Sequence, residues 1–491
     1  MIVAANRLPI SISLQKGAIQ SSVSPGGLAA SLNSLLDESS VSVGWPGKYF
    51  NKNSETRIEK HLGNEHAGIP VFLTQEQIQR YYLGFSNKTL WPLLHDLPEK
   101  AELRKDFFAS YKEVNKLFAQ KIASIIKPGE AVFIQDFHLF LLPKMIREIL
   151  PGTKIGFFLH TPFPTYTTLL HLPIPILKEL LRGVLGADII GFHTTEFGGN
   201  FIEAVEKVLH LQSHDATIMT DNRDITIETV PLGIDYPKYL NLRLATKPSR
   251  LPKLKRKSLI GRKVLFSVDR LDYTKGILER LQGYELFLQQ NPDYHHKIVF
   301  IVSVQPSRTE LRQYQLLKTD IETTVKRINA SYGDRDWKPI TYQYVSLDCK
   351  QIFAHFSRAD IALVTPLRDG MNLVAKEYIA SKENDGVLIL SQTAGAAKEL
   401  TEALLVDPSN ISEIAMAIKK ALEMSKSEQK RRLQRMQLYL EVFTSGWWSV
   451  YWKTLLNETQ LPGYKFPSLP AGRFEIASNV SHGKFNAHVT P

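Results

Sequence analysis

Short apolar runs alternate with amphipathic, helix-like segments along most of the chain. Most runs are apolar at successive positions rather than at every second one, which is typical of parallel strands covered on both faces. The runs include AVFIQD, KIGFFLH, ADIIGFH, KVLFSVD, KIVFIVSV, ADIALVT and GVLILS. Between them, segments such as ILKELLRGVLG and FIEAVEKVLHL repeat their apolar positions at helical spacing. The pattern predicts an α/β protein built from open, doubly wound sheets.

The alternation breaks near VPLGIDYPKY and restarts with KVLFSVD. We place a domain boundary there, which predicts an N-terminal domain over 1–232 and a C-terminal domain over 233–443. A tryptophan-rich segment follows, and clustered aromatics indicate packing against another surface. Residues 444–460 are therefore expected to form a helix that crosses back to the first domain. Proline, glycine, serine and asparagine dominate 461–491, which we expect to be a flexible tail.

Composition narrows the class of protein. The 491-residue chain is 43% hydrophobic and 22% charged, as soluble globular proteins are. Its single cysteine, Cys349, cannot form an internal disulfide and fits a reducing cytoplasm, so a cytoplasmic location is expected. No apolar run approaches about 20 residues, so we expect no membrane-spanning helix and no membrane partner.

The net charge of +11 points to an anionic partner. Many basic residues lie in one acid-free segment, 243–263. Because no aromatic side chain interleaves with them to stack on bases, a solvated linker is favoured over a nucleic-acid interface. We therefore expect a small anionic ligand and no nucleic acid.

Cations follow two of the apolar runs. Arg270 and Lys275 come just after KVLFSVD, and Arg308 comes just after KIVFIVSV. Ligands of doubly wound sheets bind beyond the carboxyl ends of the strands. Arginine forks a phosphate in two places and lysine supplies a point charge, so this pattern suits a diphosphate leaving group.

A third junction, RDGMN, joins the strand-like run IALV to the helix-like run LVAKEYIA. Asp369 and Glu377 lie just over two helical turns apart, which can place one carboxylate at a sugar and the other at a ribose. Two carboxylates alone would also fit a glycosidase, but the nearby cations favour a phosphorylated donor. Backbone amides at the start of the helix could bind that donor; they belong to Gly370, Met371, Asn372 and Leu373.

The N-terminal half offers further candidates. In SPGGL, Gly26 and Gly27 would let backbone amides approach a phosphate closely. Asp136 in QDFH and His160 in HTPFP stand at strand ends. The absence of a G-x-G-x-x-G sequence argues against a nicotinamide or flavin dehydrogenase. Without an H-E-x-x-H or paired-cysteine motif, we expect no metal site.

Together these motifs resemble the trehalose-6-phosphate synthases, retaining glycosyltransferases of the GT-B fold. The resemblance runs in order from Asn6 to about Leu456, through NRLP, SPGGL, GWPG, YYLGFSNKTLWPLLH, QDFHLFLLP, HTPFP, VDRLDYTKG, QPSR and TPLRDGMNLVAKEYIA. It implies two Rossmann-like domains facing a central cleft and glucose transfer from UDP-glucose to glucose 6-phosphate. It also implies that UDP-glucose is a co-substrate and that no metal or other cofactor takes part. A homo-oligomer is compatible with these features.

The resemblance also implies residue roles. The implied acceptor-binding residues are Arg7, Trp45, Tyr82, Trp91, Asp136 and Arg308. The implied donor-binding residues are Gly26, Gly27, His160, Arg270, Lys275, Asp369 to Leu373 and Glu377. The residues expected closest to the chemistry are Arg270, Lys275, Asp136 and His160. In the implied reaction the acceptor attacks from the face that UDP leaves, and the donor phosphate takes up the acceptor's proton.

Two alternatives stay open. One is a related glycosyltransferase with another acceptor, such as glucosylglycerol-phosphate synthase; NRLP, SPGGL and GWPG favour the trehalose branch. The other is a catalytically weak regulatory homologue; retention of the donor-side charges argues against it. The chain departs from the family where QDFH replaces a common His-Asp-Tyr-His sequence, which places Gln135 beside the retained Asp136.

Overall fold

The computed structural model describes residues 1–15, 18–23, 34–37, 40–65, 68–245, 259 and 261–457. The expected tail, 461–491, and most of the basic segment, 243–263, lie outside these residues. Within them, no helix is both long and apolar enough to cross a membrane.

The N-terminal half is organised around a nine-stranded sheet. Its spatial order is β5-β4-β1-β6-β7-β8-β11-β10-β9, and the neighbours from β5 to β11 pair in parallel. A separate antiparallel hairpin pairs β2 with β3. The strands of this half are β1 (Ile2–Arg7), β2 (Ile10–Gln15), β3 (Ala18–Val23), β4 (Val41–Trp45), β5 (Ile69–Pro70), β6 (Val132–Gln135), β7 (Ile155–Phe158), β8 (Ile189–Phe192), β9 (Ser213–His214), β10 (Thr217–Met219) and β11 (Asp224–Thr229).

The helices of this half cover the sheet, and one of them is a π-helix, Ile78–Leu90. The α-helices are α1 (Lys52–Glu65), α2 (Gln75–Gln77), α3 (Trp91–Leu94), α4 (Lys105–Ala123), α5 (Leu142–Ile149), α6 (Tyr166–Leu169), α7 (Ile174–Val184) and α8 (Thr195–Leu209). Strands β6, β7 and β8 are buried along their whole length, as expected for a sheet packed on both faces.

The C-terminal half contains a six-stranded, wholly parallel sheet in the order β14-β13-β12-β15-β16-β17. Its strands are β12 (Lys263–Arg270), β13 (Ile298–Gln305), β14 (Ile340–Tyr344), β15 (Ile361–Val364), β16 (Val387–Ser391) and β17 (Leu404–Val406). The later helices are α9 (Tyr236–Ala245), α10 (Ile277–Gln290), α11 (Arg312–Tyr332), α12 (Cys349–Arg358), α13 (Leu373–Ser381), α14 (Ile411–Glu423), α15 (Lys426–Val442) and α16 (Ser445–Asn457). Counted within this half, the strand order is 3-2-1-4-5-6, that of a Rossmann sheet. The predicted fold class is confirmed.

The last helix, α16, packs on the first sheet. The Trp452 ring stacks on Phe133 with centroids 4.7 Å apart, and Trp448 meets Phe158 edge-on at 5.1 Å. Both indoles are fully buried. Because rings of this size bury much apolar area, they anchor the end of the described chain to the N-terminal half.

The chain crosses between the halves twice, and the crossings lie side by side. The backbone N–H of Ser445 donates to the Ile234 carbonyl at 3.0 Å, and a Cβ added to Gly233 would overlap the Phe443 carbonyl. Beneath them, the buried Lys376 donates to the Leu232 carbonyl at 2.7 Å. These contacts support the proposed division into 1–232, 233–443 and a returning helix within 444–460.

The packing of α16 can be tested at Gly191, because a Cβ there would overlap the Trp452 ring. Gly191→Ala should destabilise the protein by about 1–3 kcal/mol through overpacking. The matched change Gly199→Ala, where the added Cβ would meet no described atom within 4 Å, should stabilise helix α8 by about 0.5–1 kcal/mol. Urea unfolding measures both, and equal midpoints for the two variants would contradict this packing.

Candidate active site

Among the parallel strands of each sheet there is a point at which the strand order reverses, and most of the predicted site residues lie there. In the first sheet the point falls between β1 and β6, which end at Arg7 and just before Asp136. In the second it falls between β12 and β15, the strands that precede Lys275 and Asp369. Crevices at such points are where doubly wound sheets bind ligands. Two crevices that face each other therefore form one cleft.

The two halves touch across this cleft. A Cβ added to Gly370 would overlap the His160 carbonyl, so only glycine permits this approach. Further along the same edge, Arg368 pairs with Asp96 at 3.1 Å and with Glu196 at 3.2 Å. The two halves are therefore in direct contact along this edge of the cleft.

On the donor side, Lys275 and Asp369 form an ion pair with Nζ and Oδ2 2.5 Å apart. The Asn372 side-chain amide also donates to Asp369, at 3.1 Å. Burial would raise the pKa of Asp369, but Lys275 and these hydrogen bonds outweigh it and lower the pKa. The carboxylate is therefore ionised and fixed in place before any ligand binds.

The backbone of Lys275 is held by a buried arginine. The buried Arg280 donates to the Lys275 carbonyl at 2.9 Å and pairs with Asp269 at 2.6 Å. Gly276 follows in the left-handed region at φ 60°, where an added Cβ would also overlap the Thr365 carbonyl. The turn after β12 thus presents Lys275 at the strand end in a single conformation.

Helix α13 begins at Leu373, directly after this pair. Asn372 adopts φ 79° and caps the helix by accepting from the Ala375 N–H at 3.1 Å. The amides at a helix start lack intrahelical partners and favour an anion. The described geometry is therefore compatible with the predicted contact to a donor.

Glu377 lies near the middle of α13 and is half-buried. Burial raises the pKa of its carboxyl to about 7, although a hydrogen bond from the Tyr239 hydroxyl opposes the rise. The Tyr239 hydroxyl also lies 4.0 Å from the Cys349 sulfur. A carboxyl with this pKa changes its charge near neutral pH.

On the acceptor side, Arg7 lies against a pair of aromatic rings that contact each other, with centroids 5.3 Å apart. Its guanidinium carbon is 5.0 Å from the ring centroids of both Trp45 and Tyr82. Burial would raise the pKa of the Tyr82 hydroxyl, but Arg7, Arg308 and Arg270 together lower it. Three cations therefore act on one ring at the cleft.

The π-helix explains how Tyr82 and Trp91 both reach this cleft. Nine residues apart in sequence, they would lie about two and a half turns apart on an α-helix and face opposite ways. A π-helix bonds each N–H to the carbonyl five residues back and has about 4.4 residues per turn, so nine residues make about two turns. The Trp91 N–H donates to the Ser86 carbonyl in this pattern.

Trp91 packs against the C-terminal half. The Arg308 guanidinium carbon lies 4.4 Å from the Trp91 ring centroid, and that of Arg270 lies at 5.8 Å. The His95 ring also packs on Trp91, with centroids 4.2 Å apart, and burial lowers the pKa of that imidazole to about 4. A neutral His95 adds no further positive charge beside the two guanidinium groups.

Asp136 and His160 are joined through the backbone and by Gln135. Asp136, at φ 72°, accepts from the His160 N–H at 3.2 Å, and burial raises the pKa of its carboxyl to about 6. His160 Nε2 lies 2.8 Å from the Gln135 side-chain oxygen. Burial lowers the pKa of His160 to about 3, so this ring is neutral.

The structure thus brings most of the predicted residues to one cleft. Gly26 and Gly27 lie outside the described residues, so their predicted role is not addressed. Among the described residues, no group of three or more His, Cys, Asp or Glu side chains is placed to hold a metal ion.

The family model for glycosyltransferase family 20 matches residues 1–458. This chain belongs to glycosyltransferase family 20. It is 41% identical over 451 residues to a bifunctional trehalose-6-phosphate synthase/phosphatase from Thermoproteus tenax, with 89% of this chain and 60% of that protein covered. The chain therefore spans less than two thirds of that relative's length.

Two solved structures are similar over nearly their whole length. An E. coli trehalose-6-phosphate structure bound with UDP-2-fluoro glucose is 30% identical with a TM-score of 0.84, covering 94% of this chain and 99% of that one. A UDP-forming α,α-trehalose-phosphate synthase from Burkholderia xenovorans, in complex with glucose-6-phosphate, is 29% identical with a TM-score of 0.83. This match covers 93% of this chain and 99% of the Burkholderia xenovorans chain. The predicted family is confirmed.

Sequence reasoning missed several residues that shape the site of this family 20 member. They are Asp269, Asp272, Arg280, Tyr314, Tyr239 and His95. Asp272 had a readable signal, because it stands between the predicted cations in VDRLDYTKG. Asp269 stands in the same motif, directly before Arg270. The contacts of the remaining residues form only in the folded chain.

The raised pKa of Glu377 predicts a pH-dependent stability. Between its ordinary value and about 7, the folded protein binds more protons at this group than the unfolded chain, so the group's contribution to stability falls as pH rises. Glu377→Gln removes this dependence. From pH 5 to pH 8, wild type should lose about 2 kcal/mol of unfolding free energy relative to the variant. Urea unfolding at both pH values measures it, and parallel pH curves would contradict it.

Proposed function

We propose that this protein is an α,α-trehalose-phosphate synthase. It transfers glucose from UDP-glucose to glucose 6-phosphate with retention of configuration and releases UDP. The observation that carries the proposal is a cleft with two phosphate-binding groups of cations. Arg270 and Lys275 form the donor group, and Arg7 and Arg308 form the acceptor group. One phosphorylated donor and one phosphorylated acceptor require this arrangement.

On the donor side, the proposal places the diphosphate against Arg270, Lys275 and the first amides of α13. Glucose then lies near Asp369 and Gly370, where the backbone of the C-terminal half approaches the His160 carbonyl. Glu377 lies further along α13, and we assign it to the ribose of the nucleotide. The relative with bound UDP-2-fluoro glucose supports a uridine nucleotide sugar in this cleft.

On the acceptor side, Arg7 and Arg308 bind the phosphate, and the rings of Tyr82 and Trp91 flank the sugar. We assign Asp136 to accept a hydrogen bond from a sugar hydroxyl. His160 is neutral, and if its Nε2–H donates to Gln135, its Nδ1 remains an acceptor. The relative in complex with glucose-6-phosphate supports this acceptor.

The proposed reaction proceeds on one face of the donor sugar. The acceptor hydroxyl attacks the anomeric carbon from the face that UDP leaves, and an oxygen of the departing phosphate takes the proton. Arg270 and Lys275 stabilise the charge that develops on UDP, and closure of the cleft excludes water. Because these cations neutralise the leaving group, the proposal assigns no metal or other cofactor. The proposed location is the cytoplasm, supported by the lone cysteine.

The function is tested by offering UDP-glucose with glucose 6-phosphate, glucose or glycerol 3-phosphate. We expect UDP release and a phosphorylated α,α-1,1-linked disaccharide, identified by NMR, when the acceptor is glucose 6-phosphate. We expect no transfer to the other two acceptors. Transfer to glycerol 3-phosphate instead would assign the related synthase. No transfer to any of these acceptors would contradict the proposal and favour a regulatory homologue.

The leaving-group role is tested by Lys275→Ala, which should lower kcat about a hundredfold because it removes charge stabilisation from the transition state. Lys263→Ala is the matched control. Lys263 is the first residue of β12, the strand whose carboxyl end precedes Lys275. It pairs with Asp360 on the surface. It should keep near-normal kcat, and equal kcat values for the two variants would refute the assignment.

A further inference from the structure

Asp272 is a buried carboxylate at the centre of the cleft, between the donor cations Arg270 and Lys275 in sequence. Its side chain is 0% exposed. One oxygen, Oδ1, accepts from the Thr274 N–H and hydroxyl, each at 3.1 Å, and from the Trp91 indole N–H at 3.3 Å. The other, Oδ2, accepts from the Arg308 guanidinium at 2.8 Å and from the Tyr314 hydroxyl at 3.4 Å.

Arg308 is therefore fixed on two sides. Its Nη1 donates to Asp272 and to the Tyr314 hydroxyl at 2.5 Å, while the guanidinium plane lies over Trp91. Its backbone adopts φ 46°, a region that non-glycine residues rarely occupy. Such strain persists only where surrounding contacts hold the residue, and Asp272 supplies the shortest charged contact.

Trp91, Asp272 and Arg308 form a closed triangle that spans the cleft. Trp91 comes from the N-terminal half, whereas Asp272 and Arg308 come from the C-terminal half. Each member touches the other two: Trp91 donates to Asp272, Asp272 accepts from Arg308, and Arg308 covers the Trp91 ring. The triangle is complete only when the two halves are together.

The carboxylate is charged in this setting. Burial would raise the pKa of Asp272, but Arg308, Arg270 and Lys275 outweigh it and lower the pKa. A charge-assisted bond to Arg308 is stronger and more directional than a neutral one. Replacing the carboxylate by an amide keeps the shape and weakens that orientation.

We propose that Asp272 is a positioning residue for the acceptor. It holds the Arg308 guanidinium toward the phosphate of glucose 6-phosphate, and it does so fully only when Trp91 completes the triangle. This inference rests on the proposed function. Acceptor affinity then depends on a carboxylate that stands beside the turn carrying Lys275, although Lys275 is held by other partners.

The test is Asp272→Asn in the full chain, with steady-state kinetics for both substrates. The KM for glucose 6-phosphate should rise about tenfold or more, as expected for losing a charged hydrogen bond. The KM for UDP-glucose should change less than about twofold, because Lys275 is held separately by Asp369 and Arg280. The preference for glucose 6-phosphate over glucose, measured as a kcat/KM ratio, should fall by a similar factor.

Two further variants make the test specific. Tyr314→Phe removes the second partner of Arg308 without touching a charge, and it should raise the same KM by a smaller factor. Asp188→Asn is the structural control, since it breaks the 2.7 Å pair with Arg147 at the amino end of β8, away from the cleft. It should lower the unfolding midpoint and leave both KM values unchanged. If Asp272→Asn does not fold, Tyr314→Phe decides the question.

Three outcomes would overturn the inference. Equal rises in both KM values would indicate general damage to the site. Unchanged values in Asp272→Asn and Tyr314→Phe would remove the positioning role. A lower KM for glucose 6-phosphate would show that Asp272 screens Arg308 and does not orient it. Failure of the proposed function is distinguishable, because wild type itself would then make no glucose 6-phosphate-dependent product.

Discussion

The site depends on holding several cations close together in a partly buried cleft before any phosphate arrives. Neighbouring positive charges repel one another, and burying a charge without a partner costs free energy. The chain answers with carboxylates: Asp369 pairs with Lys275, and Asp272 pairs with Arg308. Behind them, Asp269 pairs with Arg280, which holds the Lys275 carbonyl. Buried acids therefore make this preassembled group of cations, the proposed phosphate site, compatible with a stable fold.

The buried histidines add no further positive charge to this group of cations. Burial lowers the pKa values of His95 and His160 to about 4 and 3, so neither ring adds charge near neutral pH. Burial instead raises the pKa values of the Glu377 and Asp136 carboxyls, to about 7 and about 6. In the proposed site, positive charge is thus confined to the arginine and lysine side chains assigned to the phosphates, and the buried histidines add none.

Much of this organisation could be predicted from the sequence. Continuous apolar strands predict parallel sheets, and polar residues that follow them fall at the carboxyl ends, which gave Arg270, Lys275, Arg308 and Asp369. The π-helix was not predictable, because helix type there depends on packing and not on local propensity. The role of Asp272 was missed for a related reason: its partners Trp91 and Arg308 are 181 and 36 positions away and meet it only after folding. Local patterns locate charges at strand ends but do not show which charges pair.

We infer that the donor and acceptor half-sites form one coupled cleft. Isothermal titration calorimetry of UDP binding, with and without saturating glucose 6-phosphate, measures this coupling, because this pair of ligands cannot react. We predict that glucose 6-phosphate tightens UDP binding by about fivefold or more, and that UDP tightens glucose 6-phosphate binding by the same factor, as linkage requires. Identical UDP affinities in the two titrations would contradict the account.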